Sequence, residues 1–404
     1  MSWKLRRIAG KHRGQLLAPV LVVVLASFSV CLAQSETSYK YTSPSNTNDG
    51  LETGNLNQVK LDELKIVAAT REILNGSYPN VHSLLIFRHG RLVYENYFAG
   101  DDVERGVGPL GVVKHSRDTL HDIRSISKSV VALAVLVAHS QGKIKSLDQN
   151  LKEFFPEYAD HFAGGKEKVT VKHLLSMRSG IDWNEKISYA DPKNSEIQMN
   201  NSANAVEFVL SQKMATTPGS TFNYGGGQTQ LLVALVKKAT GMDADAFVAK
   251  HLFAPLGITK FKWVKTKSGD PSGASGLRMR SRDLGKLGLL VMNRGKWRGK
   301  QIIPARLVDE ALSESVTIEK ASDFTEAYGY QIWLPSFLVN GKWVHLKEFA
   351  GNGGQHVQID QANGIMVVTT AGNYNASEVK KSPQIIIEDF VYPAMLDKLV
   401  ERKP

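Results

Sequence analysis

The apolar positions of this chain follow a helical period, then a strand period, then a long helical stretch, and close on strands again. Leu61, Leu64, Val67, Ala68 and Ile73 recur at helical spacing and predict an opening helix. Two β-like runs follow, "HSLLIFR" and "RLVYENYF", joined by His89 and Gly90, which predicts an antiparallel hairpin. A matching pair, "QHVQID" and "GIMVVTTAG", turns around Ala362 and Asn363 near the C-terminus, and a final helix is predicted over 382–398. The middle of the chain, 125–266, is mostly helical in pattern, with "VTVKHLLSMRSG", "SANAVEFVLSQ" and "QTQLLVALVKKATG" as its clearest segments. Strands at both ends and helices between predict an α/β (α+β) fold. One antiparallel sheet is built from the N- and C-terminal segments and flanked by helices, with an all-helical region inserted. The expected domain spans 56–404, its α/β part 56–124 and 267–404, its helical part 125–266.

Two segments precede it. Lys4, Arg6, Arg7, Lys11 and Arg13 lead into an apolar run over 16–32 and then the small residue Ala33, the pattern of a signal peptide cleaved after Ala33. The other reading is an uncleaved anchor over 16–33, its basic end inside. Either way the body is expected outside the cytoplasm, periplasmic or secreted, with the membrane touched only through this segment. Residues 34–55 are polar, rich in Ser, Thr and Asn, and lack apolar periodicity, so a disordered linker is expected.

Composition narrows the chemistry. The net charge of +11 contains the five cations of the leader, so the mature chain keeps only a mild excess, with no basic block and no interleaved aromatics. Nucleic-acid binding gains no support. The single cysteine, Cys31, lies in the leader, which removes a thiol nucleophile and a thiolate zinc site from the mature chain. No His-Glu-x-x-His occurs, and the eleven histidines do not cluster at ligand spacing along the chain, so no metal is expected. No Gly-x-Ser-x-Gly elbow occurs either.

The stretch "DIRSISKSVVALAVLVAHSQGK" is different. Ser125 and Lys128 stand three apart at the start of a helix whose next turns, 130–138, are apolar throughout. That spacing puts both side chains on one face, where a lysine of depressed pKa can take the serine's proton. The bland alternative is a snorkelling lysine beside a helix cap. Ser140 with Lys143 and Ser377 with Lys380 repeat the spacing, but at a helix end and in a polar turn. Arg124, next to the serine, is either a neighbouring cation that depresses the lysine or a surface residue.

Two further stretches bear on the choice. Thr217, Pro218 and Gly219 make a turn before "STFNYGGGQTQ", where Tyr224 offers a phenol for proton relay and the glycines after it leave room for a ligand. In "FAGNGGQHVQID", Gly351, Asn352, Gly353, Gly354 and Gln355 precede a strand, leaving edge backbone open to bind substrate or supply an oxyanion N–H. Asp182 and Trp183 in "SGIDW" either line the pocket or pack a loop, and Tyr189 could close over it. His173 reads as structural.

In this order and spacing, the three stretches resemble the serine β-lactamase and penicillin-binding-protein superfamily, in its esterase-like branch of class C β-lactamase-related proteins and 6-aminohexanoate-dimer hydrolases. "VTVKHLLSMRSGIDWNE", "GLRMRSRDLGKLGLLVMNRGKWRGKQIIP", "YGYQIWL" and "AGNGGQHVQIDQANGIMVVTTAGNYN" extend the resemblance over residues 60–395. It implies that Ser125 is acylated, that Lys128 is its general base, and that Tyr224 assists both proton transfers. It implies a substrate-side strand at Asn352, Gly353 and Gly354, and oxyanion N–H groups from Ser125 and roughly Gln355. It implies no metal or organic cofactor, and a small-molecule ester or amide as partner. Two departures qualify it. Gly226 replaces the asparagine of Tyr-x-Asn, and Asn352 replaces the lysine that holds a β-lactam carboxylate. A second function class, a catalytically idle protein that keeps the fold for binding or sensing, is motivated by the same two positions, and a D-amino-acid peptidase or β-lactamase is the further alternative within the family.

Overall fold

The computed structural model describes residues 39–401 apart from 314, 377, 378 and 380; the leader and the Ser377 tetrad lie outside the described residues. In chain order the elements that matter are β1 (Glu52–Thr53), α1 (Glu63–Leu74), β2 (Val81–Arg88), β3 (Arg91–Tyr97), β4 (Ala99–Glu104), β5 (Gly108–Lys114) and β6 (His121–Asp122). The helices α2 (Ile126–Ser140) and α3 (Gly226–Thr240) follow, then β7 (Phe261–Trp263), β8 (Leu277–Met279) and α4 (Ser281–Met292). The chain closes with β9 (Val316–Lys320), β10 (Phe324–Tyr328), β11 (Trp333–Val339), β12 (Lys342–His345), β13 (Lys347–Gly351), β14 (Gln355–Asp360) and β15 (Ile365–Ala371).

The main sheet has ten strands in the order β1-β3-β2-β15-β14-β13-β11-β10-β9, with β12 on β11. Apart from the parallel β1–β3 contact, its pairings are antiparallel. The two hairpins read from the sequence meet at its centre, where β2 pairs with β15 from Arg88↔Ile365 to Val81↔Ala371. The apolar run of β2 serves two cores at once. Leu85 and Phe87 face the core shared with α2, α3 and α4, while Leu84 and Ile86 face one closed by α1 and the C-terminal turns. Period-two alternation between two buried faces leaves a continuous apolar run. α4 lies close on the sheet because Gly285 and Gly288 carry no side chain: a Cβ on the first would meet the Phe87 ring at 2.5 Å, and one on the second would strike Met366.

α2 runs through the middle of the molecule, with 126–138 buried throughout. It packs beside α3, whose residues 226–236 are likewise buried. The region 125–266 around them contains several short helices and, near its end, the strand β7. No helix among the described residues is long and apolar enough to cross a membrane.

Two expectations need correction. Residues 39–55 do not form a disordered linker. Arg282, the second residue of α4, donates to Ser45 O at 2.9 Å, Thr47 Oγ1 at 2.6 Å, Asp49 Oδ2 at 3.1 Å and both Glu95 oxygens at 2.7 and 2.6 Å. Tyr41 stacks on Tyr94 and donates to Val93 O at 2.8 Å. The anchors are polar, so apolar periodicity could not show them. The final helix is also broken, into Pro383–Ile385, Ile387–Val391 and Tyr392–Ala394. Pro393 supplies no N–H. Beyond it the chain peels back to the sheet, with Leu396 N–H on Lys60 O at 3.0 Å and Asp397 paired to Arg88 at 2.6 Å.

Candidate active site

The entry to α2 is built to present a serine. β6 pairs with β8, and Ile123 N–H bonds Leu277 O at 3.1 Å, which fixes the strand leading in. Arg124 then adopts φ of 49°, a left-handed conformation that L-residues avoid. Its carbonyl accepts from Ser127 N–H at 2.9 Å and Ser127 Oγ at 2.6 Å, which offsets the strain. The turn leaves Ser125 half-buried at the helix N-cap and Lys128 sealed beneath it. Lys128 Nζ donates to Ser125 Oγ at 3.1 Å and to Ala274 O at 2.8 Å. The snorkelling alternative is therefore excluded by placement. At the rival tetrad Ser140 Oγ donates to Val137 O at 2.7 Å and Lys143 is exposed.

Tyr224 joins this pair. The Lys128 ammonium sits 4.8 Å from the centre of the Tyr224 ring, and the phenol faces both Ser125 and Lys128. The ring stacks on Trp333 at 5.7 Å and meets Tyr328 edge-on at 6.4 Å. These two aromatics come from "YGYQIWL"; the word was legible, but the part each ring plays in the site was not. Gln331 of the same stretch accepts Ser129 Oγ at 2.6 Å through its carbonyl and Thr229 Oγ1 at 3.0 Å through its side chain, tying α2 to α3 beneath the site.

The lysine environment departs from expectation. Burial pushes the Lys128 pKa down, but Tyr224, Glu185 and Glu196 outweigh it and the net direction is up. Arg124 does not act on Lys128: its guanidinium pairs with Asp122 at 3.1 Å and covers the Tyr374 ring at 4.2 Å. Burial likewise raises Tyr224, with the Lys128 charge opposing.

Glu185 and Glu196 are residues the sequence reading missed. Glu185 Oε2 accepts the Gly226 N–H at 2.6 Å and Trp183 Nε1–H at 2.7 Å; its Oε1 accepts Tyr189 O–H at 2.8 Å and lies 3.8 Å from Lys128 Nζ. Glu196 Oε1 accepts Ser275 O–H at 2.6 Å and Arg105 at 3.2 Å. Burial, then the Glu196 charge, carry Glu185 up to about 7 although Lys128 opposes them. Glu196 is held low against burial by Lys128 and Arg105. The two carboxyls divide the roles of proton holder and anion.

This pair explains the glycines after Tyr224. They do not leave room for a ligand. A Cβ on Gly225 would meet the Trp183 indole at 2.5 Å, and one on Gly227 would meet it at 2.6 Å. One on Gly226 would meet Ala274 at 2.7 Å, Glu196 Oε2 at 3.1 Å and Glu185 Oε2 at 3.4 Å. The space of the missing asparagine is filled by two carboxyl groups, Glu185 from a loop and Glu196 from the first turn of the short helix Ser195–Asn201. Trp183 is thus buried under α3, Asp182 is exposed with its N–H on Lys213 O, and Tyr189 is half-buried against Glu185.

The glycine hairpin lies across the site. β13 and β14 pair from Lys347↔Ile359 to Gly351↔Gln355, with Asn352, Gly353 and Gly354 as the turn. Gly351 abuts the Ser125 turn so closely that a side chain there would strike the Ile123 carbonyl. β13 meets β11 only at Trp333↔Glu348, so the backbone of Phe349, Ala350 and Gly351 presents an open edge on that side. Gln355 is buried across the hairpin, its amide donating to Ala371 O at 2.5 Å, and Asn352 Oδ1 accepts the Asn375 N–H at 2.8 Å. The open edge beside Ser125 is therefore the end of β13, not the start of β14. His173 closes a capping box with Thr170, the structural part expected of it.

The beta-lactamase family model matches residues 78–388. The chain belongs to the beta-lactamase family. Among curated relatives, Esterase EstB of Burkholderia gladioli is 30% identical over 182 residues, 43% of this chain and 44% of that protein. Protein flp of Staphylococcus aureus strain MW2 is 25% identical over 200 residues, 49% of this chain and 38% of that protein. The chain thus spans well under half the length of these relatives. A provisional 6-aminohexanoate-dimer hydrolase from Bacillus anthracis shares the fold at a TM-score of 0.64 and 18% identity, over 80% of each chain. EstCE1, a hydrolase with promiscuous acyltransferase activity, shares it at 0.61 and 19%, over 81% of this chain and 98% of its own.

The Glu185 contact gives a pH prediction. A carboxylate beside Lys128 holds its proton, so kcat/KM for an activated ester should climb with pH on the alkaline side as Lys128 loses it. Glu185→Gln keeps the shape and removes the charge, so the Lys128 pKa falls and the limb should move to lower pH. A pH–rate profile that is unmoved in Glu185→Gln contradicts this account.

Proposed function

We propose that the chain is an exported serine hydrolase that cleaves an ester or amide through an acyl-enzyme on Ser125. The observation that carries this reading is the 3.1 Å contact of the sealed Lys128 amino group with a half-buried Ser125 hydroxyl, beside a phenol. In the form whose Lys128 has lost its proton, Ser125 Oγ attacks the substrate carbonyl carbon as its own proton passes to the neutral Lys128 amine, assisted by the Tyr224 phenol. The N–H groups of Ser125 and of the β13 end receive the developing oxyanion, aided by the positive end of α2. The Lys128–Tyr224 couple returns the proton to the leaving group, and water then hydrolyses the Ser125 ester by the same route. Export rests on the basic and apolar leader. Supporting the esterase side, Asn352 spends its side chain on Asn375, so no cation stands at that position to hold a β-lactam carboxylate.

A fluorophosphonate probe tests the nucleophile directly. The mature chain, 34–404, should be labelled with one equivalent at Ser125, and Ser125→Ala should take no label. Labelling at full level in Ser125→Ala would remove the assignment. A folded wild type that no probe or ester acylates would leave the binding-protein reading in its place.

A further inference from the structure

Away from Ser125, four residues scattered along the sequence converge: His82 on β2, Asp102 on β4, His115 just after β5, and His121 on β6. One ligand atom from each lies within 4.8 Å of all the others. We propose that these four side chains bind one divalent transition-metal ion, zinc by the ligand set, in a closed structural site behind the nucleophile turn.

The hydrogen bonds around the cluster decide the tautomers. Asn80 Nδ2 donates to Asp101 O at 2.8 Å, which fixes the amide so that Asn80 Oδ1 faces His82 Nε2 at 3.0 Å. That nitrogen must therefore carry the His82 proton. His121 Nδ1 faces the Asp122 carbonyl at 3.0 Å and must carry its proton too. The inward nitrogens, His82 Nδ1 and His121 Nε2, are then both bare and stand 2.8 Å apart. Two lone pairs at that distance repel unless a positive centre lies at them. A shared proton would serve this pair alone. Neutral imidazole with its outer N–H on an oxygen is the state in which histidine ligates a metal.

Two further atoms lack partners. Asp102 Oδ2 and His115 Nε2 are sealed from solvent without a hydrogen bond. Asp102 has a side chain only 1% exposed, and Arg278 stands 3.9 Å from Oδ2, beyond hydrogen-bond reach. The other oxygen, Oδ1, accepts from Val103 N–H at 2.8 Å and from Tyr374 O–H at 3.2 Å. The Tyr374 oxygen also lies 3.4 and 3.5 Å from the His121 nitrogens, but its one proton serves the nearer carboxylate. His115 stacks on His82 at 3.9 Å, so its ring is already delivered to the cluster. An ion would give both orphans a partner and separate the two lone pairs. Three imidazoles and one carboxylate suit tetrahedral zinc, once the wider pairs draw in. The positive groups nearby, Arg278 and Arg124, are spent on Asp122 at 2.7 and 3.1 Å. Asp122 leads directly into Ile123, Arg124 and Ser125, so an ion here would pin the β4–β5 hairpin to the nucleophile turn.

The full mature chain, stripped with EDTA and dialysed, should be titrated with cobalt(II) and then zinc. The expected result is one equivalent of cobalt with the visible d–d absorption of a four-coordinate site, displaced by zinc, unchanged in Ser125→Ala and lost in Asp102→Asn and His115→Ala. Should either of the last two fail to fold, zinc-edge X-ray absorption of the wild type reads the ligand set without a variant, and should show three imidazoles and one oxygen. No saturable binding, binding that survives both variants, or a zinc shell with fewer than three imidazoles would overturn the proposal.

Discussion

Lys128→Ala is expected to lower kcat for p-nitrophenyl butyrate by about 10²- to 10⁴-fold, the range for removing a positioned proton-transfer group. KM should change little, because Lys128 lies beneath Ser125 and out of the substrate's path. The substitution also strips Glu185 of its cation and opens a void, so lost activity alone is ambiguous. Lys128→Met, which keeps most of the volume, separates the two causes: both variants should lose kcat, and Lys128→Met should retain more of the thermal stability. Tyr224→Phe should fall less far, since it keeps the ring against Trp333 and removes only the hydroxyl. Turnover by Lys128→Met within about threefold of wild type would exclude lysine as the proton acceptor.

The second large effect lies far from the chemistry. Arg282→Met should cost about 3–5 kcal/mol, the range for breaking one side of a buried ion pair. Arg282 is 3% exposed and Glu95 5%, so removing the guanidinium strands a carboxylate that only Tyr97 O–H continues to serve, at 2.7 Å. The same change frees Ser45, Thr47 and Asp49 from their anchor. Urea titration should therefore show a lower midpoint, and limited proteolysis should cut first within 39–55. A variant as stable and as resistant as wild type would show that the strap is held elsewhere.

What the sequence disclosed depends on how local each signal is. Ser125, Lys128 and the buried helix behind them fall within one short stretch, and both hairpins are marked by turn residues between apolar runs. The fold followed from those. Glu185 was illegible because a loop with no period of its own carries it under α3, and Glu196 because its helix, Ser195–Asn201, is too short to display one. The run Gly225, Gly226 and Gly227 was visible, but its cause was not: bare glycine signals close approach without saying what approaches, and here it is Trp183 and two carboxylates. His82, His115 and His121 stand far from ligand spacing along the chain, and β2, β4 and β6 bring them together with Asp102 only through tertiary pairing. Segment 39–55 went unread for a related reason, since its anchors are an arginine and backbone carbonyls instead of apolar residues.

The pairing of β2 with β15 also governs when this molecule can act. A chain emerging from synthesis has α2, Ser125 and Lys128 in hand long before Gly351 exists, and the central strand at Val81–Arg88 must wait for Ile365–Ala371. Long-range pairing of this kind is slow to nucleate. An unfinished chain thus holds Ser125 and Lys128 without the β13 edge that belongs beside them, and the site stays incomplete until its last strands are delivered.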